Sequence, residues 1–266
     1  MIGALPPEYA QARMQARYGQ RGDEPLWNQL RGARSLVAAL EILRASPLRR
    51  WVAAISVDAD ADEIELRLRA AVRACIDEVA GWGPEDWQPA TAWTAHLVDL
   101  PAVARLAGGE FPAPWMRRDP ALQQYAESDP EARRAALRKG PLSPVVAAIE
   151  SRLAEDPGQR STSTAAAALE AWRDEWRDRW PDREGADAGA LDELIRLVMR
   201  HLARFLEVGS EEAWTMRREL EAQIAVRFRR HALTPVAAFA YLALVALDIE
   251  KLRAQLVVRA AFGAVP

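Results

Sequence analysis

Four acids crowd one short stretch, Asp58, Asp60, Asp62 and Glu63, at spacings that suggest a calcium loop. Such a loop holds Ca2+ through alternating oxygens and needs glycine at its sixth position and a bidentate glutamate at its twelfth. Those places hold Glu63 and Arg69, so the calcium reading fails. Acids also suit the positive end of a helix dipole. Asp60 with Glu63 therefore reads as a capping-box-like start to a helix that reaches about Val79, before Gly81 and Gly83.

The three histidines, His96, His201 and His231, give no metal signature. None has glutamate three residues before it, as a di-iron helical bundle requires, and none belongs to a two-histidine zinc motif. His201 lies near an apolar stripe and reads as a half-buried side chain. His231 sits in a last helical turn, where a partly protonated ring suits the dipole. Gly108-Gly109 is followed by Glu110 and Phe111 with no lysine near, so no phosphate loop is present. Cys75, the single cysteine, stands among Ala71, Val72, Ile76 and Val79, the setting of an inert buried thiol. No catalytic, cofactor-binding or metal-binding motif is legible. An enzyme would need a site assembled from scattered residues, for example Asp99, His96 and Arg105.

Trp172, Trp176 and Trp180 recur every four residues on a helix whose other faces carry Arg173, Asp174, Glu175, Arg177, Asp178 and Arg179. One reading is a core stripe shielded by salt-bridging neighbours. The other is an aromatic surface that contacts a partner, because tryptophan and arginine are enriched at binding hot spots. The core reading is preferred, and the three indoles stay as candidate partner contacts.

The elements that position these residues read as helices. A capping residue stands directly before proline at Ser46-Pro47, Asp119-Pro120, Asp129-Pro130, Ser143-Pro144 and Thr234-Pro235. The side-chain oxygen satisfies an orphan N–H, and proline at the first helical position loses nothing. Leu191, Leu194, Ile195, Val198, Met199, Leu202, Phe205 and Leu206 form one stripe at steps of three and four, ended by Gly209. A second helix runs from Glu211 to about His231, with Met216, Leu220, Ile224 and Phe228 spaced by four, and a third from Pro235 to about Ala261. Short turns between these three predict antiparallel packing. Loops are expected at Gly19–Glu24, Gly81–Pro89, Ala107–Arg118, Asp156–Ser161 and Pro181–Gly189. Trp51 to Val57 is the best strand candidate and reads equally well as the end of a helix. The chain is expected to be all-α, a multi-helix bundle of long antiparallel helices forming a single unit over 1–266, with an internal division near 107–120.

Composition agrees with a globular chain: 50% hydrophobic and 27% charged residues, enough for a substantial core. The net charge of −3 comes from interspersed acids and bases, so no half of the chain offers a basic field for nucleic acid. One cysteine rules out an intrachain disulfide. Met1 to Tyr9 lacks the basic and apolar regions of a signal peptide. The apolar run from Pro235 to Leu247 is too short to cross a bilayer. A soluble cytoplasmic protein without membrane insertion is expected.

Thr234-Pro235 opens a helix that reads Ala240, Tyr241, Leu242, then Asp248-Ile249, then Leu252-Arg253. This resembles the last helix of the C/d-type subunit of V-type and archaeal-type rotary ATPases. Tyr9, Ala12, Arg13 and Arg17 are similar to that family's opening helix. The stretches from Leu30 to Leu43 and from Asp60 to Leu68, with Ile64-Glu65, fit its early helices. Residues 81–189 do not carry the resemblance. Ala246 replaces the family's usual glutamate, Lys251 its usual asparagine, and the chain is shorter than typical members. The resemblance implies a funnel of pseudo-repeated helical lobes that couples the central stalk to the membrane rotor ring. Such a part binds stalk and ring proteins at the inner face of the membrane, needs no cofactor, and catalyses nothing. The alternative is a stand-alone helical adaptor that keeps the fold and binds a different partner.

Overall fold

The computed structural model describes residues 6–155, 162–205 and 210–263, none of which lies in a β-strand. The helices are α1 (Pro7–Tyr18), α2 (Glu24–Arg31), α3 (Leu36–Arg44), α4 (Arg49–Val52), α5 (Ala61–Trp82), α6 (Gln88–Trp93), α7 (His96–Ala107), α8 (Pro130–Lys139), α9 (Ser143–Glu155), α10 (Thr162–Arg177), α11 (Ala186–Phe205), α12 (Ser210–Arg230) and α13 (Pro235–Phe262). Short 3-10 turns lie at Glu85–Trp87, Pro114–Arg118 and Gln123–Tyr125. The chain is all-α across these residues.

Local chemistry sets most helix starts. The side chains of Asp23, Ser35, Asp60 and Asp129 accept from the main-chain N–H three residues on, at 2.9, 3.2, 2.7 and 2.7 Å. Each such cap typically stabilises a helix by about 1 kcal/mol. Asp119 departs from the expected N-cap role. It closes a turn on Ala121 N–H at 2.9 Å and spends its other oxygen on Arg69 and Arg73 of α5. The strand alternative at 51–57 gives way to the end of α4 and a turn. Helix α5 runs through Gly81 to Trp82, past the expected stop, because glycine is tolerated in a helix when packing holds it. The expected loop at 156–161, the terminator Gly209 and Leu206 lie outside the described residues.

Helix α13 is the axis. It packs on α1, α3, α5, α11 and α12, and its first turns, from Val236 to Leu242, are buried on every side. That explains its unbroken apolar run, since a helix surrounded by others has no polar face to show. At its far end buried Arg259 donates to the carbonyls of Ala33 and Leu30 at 2.8 and 2.9 Å. A cation there suits the negative end of the α2 dipole.

A second layer, α7 to α10, packs mainly on itself and meets α13 through aromatic side chains. Trp176 and Trp87 stand edge-on to Phe239 of α13, with ring centroids 5.1 and 6.0 Å away. One continuous set of buried residues runs from Ala10 to Leu256 through both layers. The segment from 108 to 126 drives Met116, Leu122 and Tyr125 into that set.

On α12 the expected face holds, since Met216, Leu220, Ile224 and Phe228 are all buried. On α11 the buried line is Ala188, Leu191, Leu194 and Leu197, rotated from the expected stripe. Ile195 and Met199 are only half-buried, and Leu202 is exposed.

Candidate functional site

The residues that carry chemistry gather in two ion-pair clusters. The first joins the ends of the chain. Arg21, just after α1, donates through Nε and Nη2 to both carboxylate oxygens of Asp248 on α13, at 2.7 and 2.8 Å. The same guanidinium reaches Glu221 of α12 at 2.9 Å, and Lys251, one turn on from Asp248, reaches the other Glu221 oxygen at 2.7 Å. Lys251 also lies 5.4 Å from the ring centroid of Trp27. Burial opposes charge on Glu221, but Lys251 and Arg21 outweigh it and hold the carboxyl below the usual range. Asp248 is more deeply buried, and desolvation pushes its carboxyl up against the pull of Arg21.

The second cluster sits where α5, α7 and the turn at Pro114–Arg118 meet. Arg69 of α5 donates to Asp119 at 2.9 Å and to Asp99 of α7 at 2.7 Å, and Arg73 donates to the same two carboxylates. Two cations face two anions, so the set is neutral. Arg69 also stacks on Trp115, 4.6 Å from the ring centroid. Its remaining nitrogen points toward Glu65 at 3.5 Å, and Glu65 in turn pairs with Arg253 of α13 at 2.8 Å. Burial opposes charge on Asp99, yet its partners keep the carboxyl below the usual aspartate range. His96 lies 3.8 Å from Asp99, beyond hydrogen-bond reach, so we assign that effect to the two guanidiniums.

This geometry does not assemble the scattered-site enzyme trio. Asp99 is locked to two arginines and is a poor base, because a depressed carboxylate holds protons weakly. Arg105 turns away to the exposed Glu110 at 2.8 Å. Beside the cluster a cleft of about 520 Å3 opens between α5, α7 and α13, with a largely apolar wall that includes Val72, Leu97, Val98 and Ile249. Among the described residues, no group of three or more His, Cys, Asp or Glu could hold a metal ion.

The tryptophans kept as candidate partner contacts follow the preferred core reading and are buried. Trp172, Trp176 and Trp180 are 3%, 4% and 4% exposed. Trp176 donates to the carbonyl of Ala90 at 3.0 Å, while Trp93 donates back to the carbonyl of Trp172 at 3.3 Å. The indoles of 172 and 176 stack at 5.5 Å, and 180 stands perpendicular to 176 at 4.9 Å. Burying these large rings stabilises the fold more than leaving them in water, so they join α10 to α6 and α13. Cys75 is buried as expected, and burial pushes its thiol up, away from thiolate chemistry. Arg73 carried no signal in the sequence and Asp119 read only as a helix cap, since nothing local distinguishes a buried ion pair from a solvated one.

Fold and clusters together define an all-α protein whose charged groups tie distant helices to one another. Comparison with protein-family models, with characterised proteins and with solved structures gives no match. Among the described residues no helix is long and apolar enough to cross a membrane.

Proposed function

We propose that the chain is a non-catalytic linker of a V-type or archaeal-type rotary ATPase, a shortened relative of the part that seats the central stalk on the membrane ring. One observation carries this reading. Residues that bear the resemblance lie at opposite ends of the sequence, yet several meet in space. Glu65 of the early helix pairs with Arg253 of the last at 2.8 Å, and Asp248 is fastened to Arg21, just beyond the opening helix. Ile64, Ile249 and Leu252 are buried with them. A sequence pattern shared only through helix propensity would have no reason to converge on matched charges.

A linker of this kind transmits force and makes no bonds. It needs stiffness, which densely packed helices supply, and two faces for its neighbours. It works at the inner face of the membrane without inserting a helix, held by the stalk and the ring.

The test is to tag the full chain in its own cell, solubilise membranes in mild detergent, and identify what purifies with it in fixed proportion. Stalk and ring proteins are expected, and they should leave together when the complex is dissociated. An intact rotary ATPase purified from the same cells without this chain would overturn the reading.

A further inference from the structure

The surface formed by α10, α11 and α12 collects four cations around one groove. Arg173 of α10, Arg196 and Arg200 of α11, and Arg227 of α12 line one open groove of about 580 Å3, with a single carboxylate, Glu193, among its lining residues. Arg173 pairs with Asp174 at 3.0 Å. Among the described residues the other three form no ion pair. Arg200 donates only to the carbonyl of Arg196, and Arg227 only to that of Gln223, both at 3.2 Å.

This arrangement works against stability. Like charges four apart on a helix, as at Arg196 and Arg200, destabilise it, and Arg227 adds a third cation from the facing helix. The buried arginine clusters, by contrast, are matched by carboxylates, Arg21 with Asp248 and Arg69 with Asp99. Two residues that line the groove are apolar. Ile195 and Met199 belong to the expected core stripe of α11, but the stripe is wider than the core that receives it, and both are left lining the groove. On the same two helices Leu202 and Val226 are 43% and 53% exposed.

We propose that this groove is a docking site for an acidic amphipathic helix of a partner protein. Guanidiniums recognise carboxylates in bidentate geometry, and a helix laid between two others presents an apolar edge to the floor and flanking acids to the walls. Apolar lining among the cations, Ile195 and Met199, fits such a segment better than a bare phosphate, which has nothing to bury there. The proposal does not depend on the linker reading, because none of these residues contributes to the clusters that support it.

The probe is a synthetic, fluorescently labelled peptide of about 16 residues, roughly four turns of helix, with leucine on one face and glutamate beside it. Three controls accompany it: the same peptide with glutamine for glutamate, a scramble of the same composition, and phosphatidylglycerol vesicles or inorganic triphosphate as alternative anions. The full chain should bind the acidic amphipathic peptide, more tightly at low salt. Arg200→Glu and Arg227→Glu should each weaken binding by more than about tenfold. Arg34→Glu, which changes net charge equally on the exposed α2–α3 link, should leave binding intact. Arg200→Glu should also keep or raise the thermal midpoint, since it places an opposite charge one turn from Arg196. Equal binding of the glutamine or scrambled peptide, equal loss in Arg34→Glu, no binding of the acidic peptide, or binding of vesicles or triphosphate in its place would overturn the proposal.

Discussion

Arg21 grips Asp248 with two parallel hydrogen bonds, Nε to Oδ2 at 2.7 Å and Nη2 to Oδ1 at 2.8 Å, and so fastens the exit of α1 to the middle of α13. The side chains are 12% and 3% exposed, so neither charge can turn to water if the other is lost. Breaking such a pair from one side leaves a buried charge and typically costs about 3–5 kcal/mol. Arg21→Met, which strips the buried Asp248 carboxylate of its guanidinium, should lower urea stability by an amount of that order, and the double variant Arg21→Met with Asp248→Leu by less. A loss below about 0.5 kcal/mol in Arg21→Met, the size expected of an ordinary surface change, would show that the contact contributes little.

Acid should loosen the cluster on α5 and α7. The Asp99 carboxyl is held below its unfolded value, so the stability it contributes is fully present above about pH 4 and disappears as pH falls through the lower folded value. Glu221 acts with the same sign. Asp248 acts with the opposite sign, because its raised carboxyl gains stability on protonation. Thermal midpoints followed by circular dichroism from about pH 6 to about pH 2 should therefore fall less steeply in Asp99→Asn than in the parent chain, although the variant starts lower. Parallel curves would contradict the assignment.

The tryptophans on α10 should behave as core. Trp176→Ala should cost about 3–5 kcal/mol, the usual penalty of emptying a large aromatic site. Phenylalanine variants separate the hydrogen bond from the volume. Trp176→Phe loses the donor to Ala90, whereas the indole nitrogen of Trp172 has no acceptor among the described residues. Denaturant midpoints should thus place Trp176→Phe about 1 kcal/mol below Trp172→Phe. Equal stability of parent and Trp176→Ala would return the indoles to the surface.

Cys75 should be silent in the folded chain. It is 1% exposed and its thiol is pushed up by burial, so a disulfide reagent meets neither access nor thiolate. Labelling should follow the unfolded fraction as urea is added. Labelling of the native chain at the rate of a denatured control would contradict that placement.

Much of the fold was legible because helix signals are local. Asp60 and Asp129 announce α5 and α8 from the position directly before each helix, and the fourfold spacing of Met216, Leu220, Ile224 and Phe228 names the buried face of α12. The same reasoning misplaced Asp119, whose proline neighbour signals a cap that a buried arginine overrules. It also gave α11 too wide a core face, because periodicity reports which residues are apolar but not how many the neighbours can cover.

The sequence by itself determined the helices, most of their ends and the lack of any recognisable catalytic motif, since capping, proline geometry and periodicity act within a turn or two. Tertiary structure alone decided which charges are structural. Arg21 with Asp248 spans 227 positions, and Arg253 with Glu65 spans 188. No local pattern encodes those distances, because an ion pair depends on which helix faces are pressed together and on how much water they exclude.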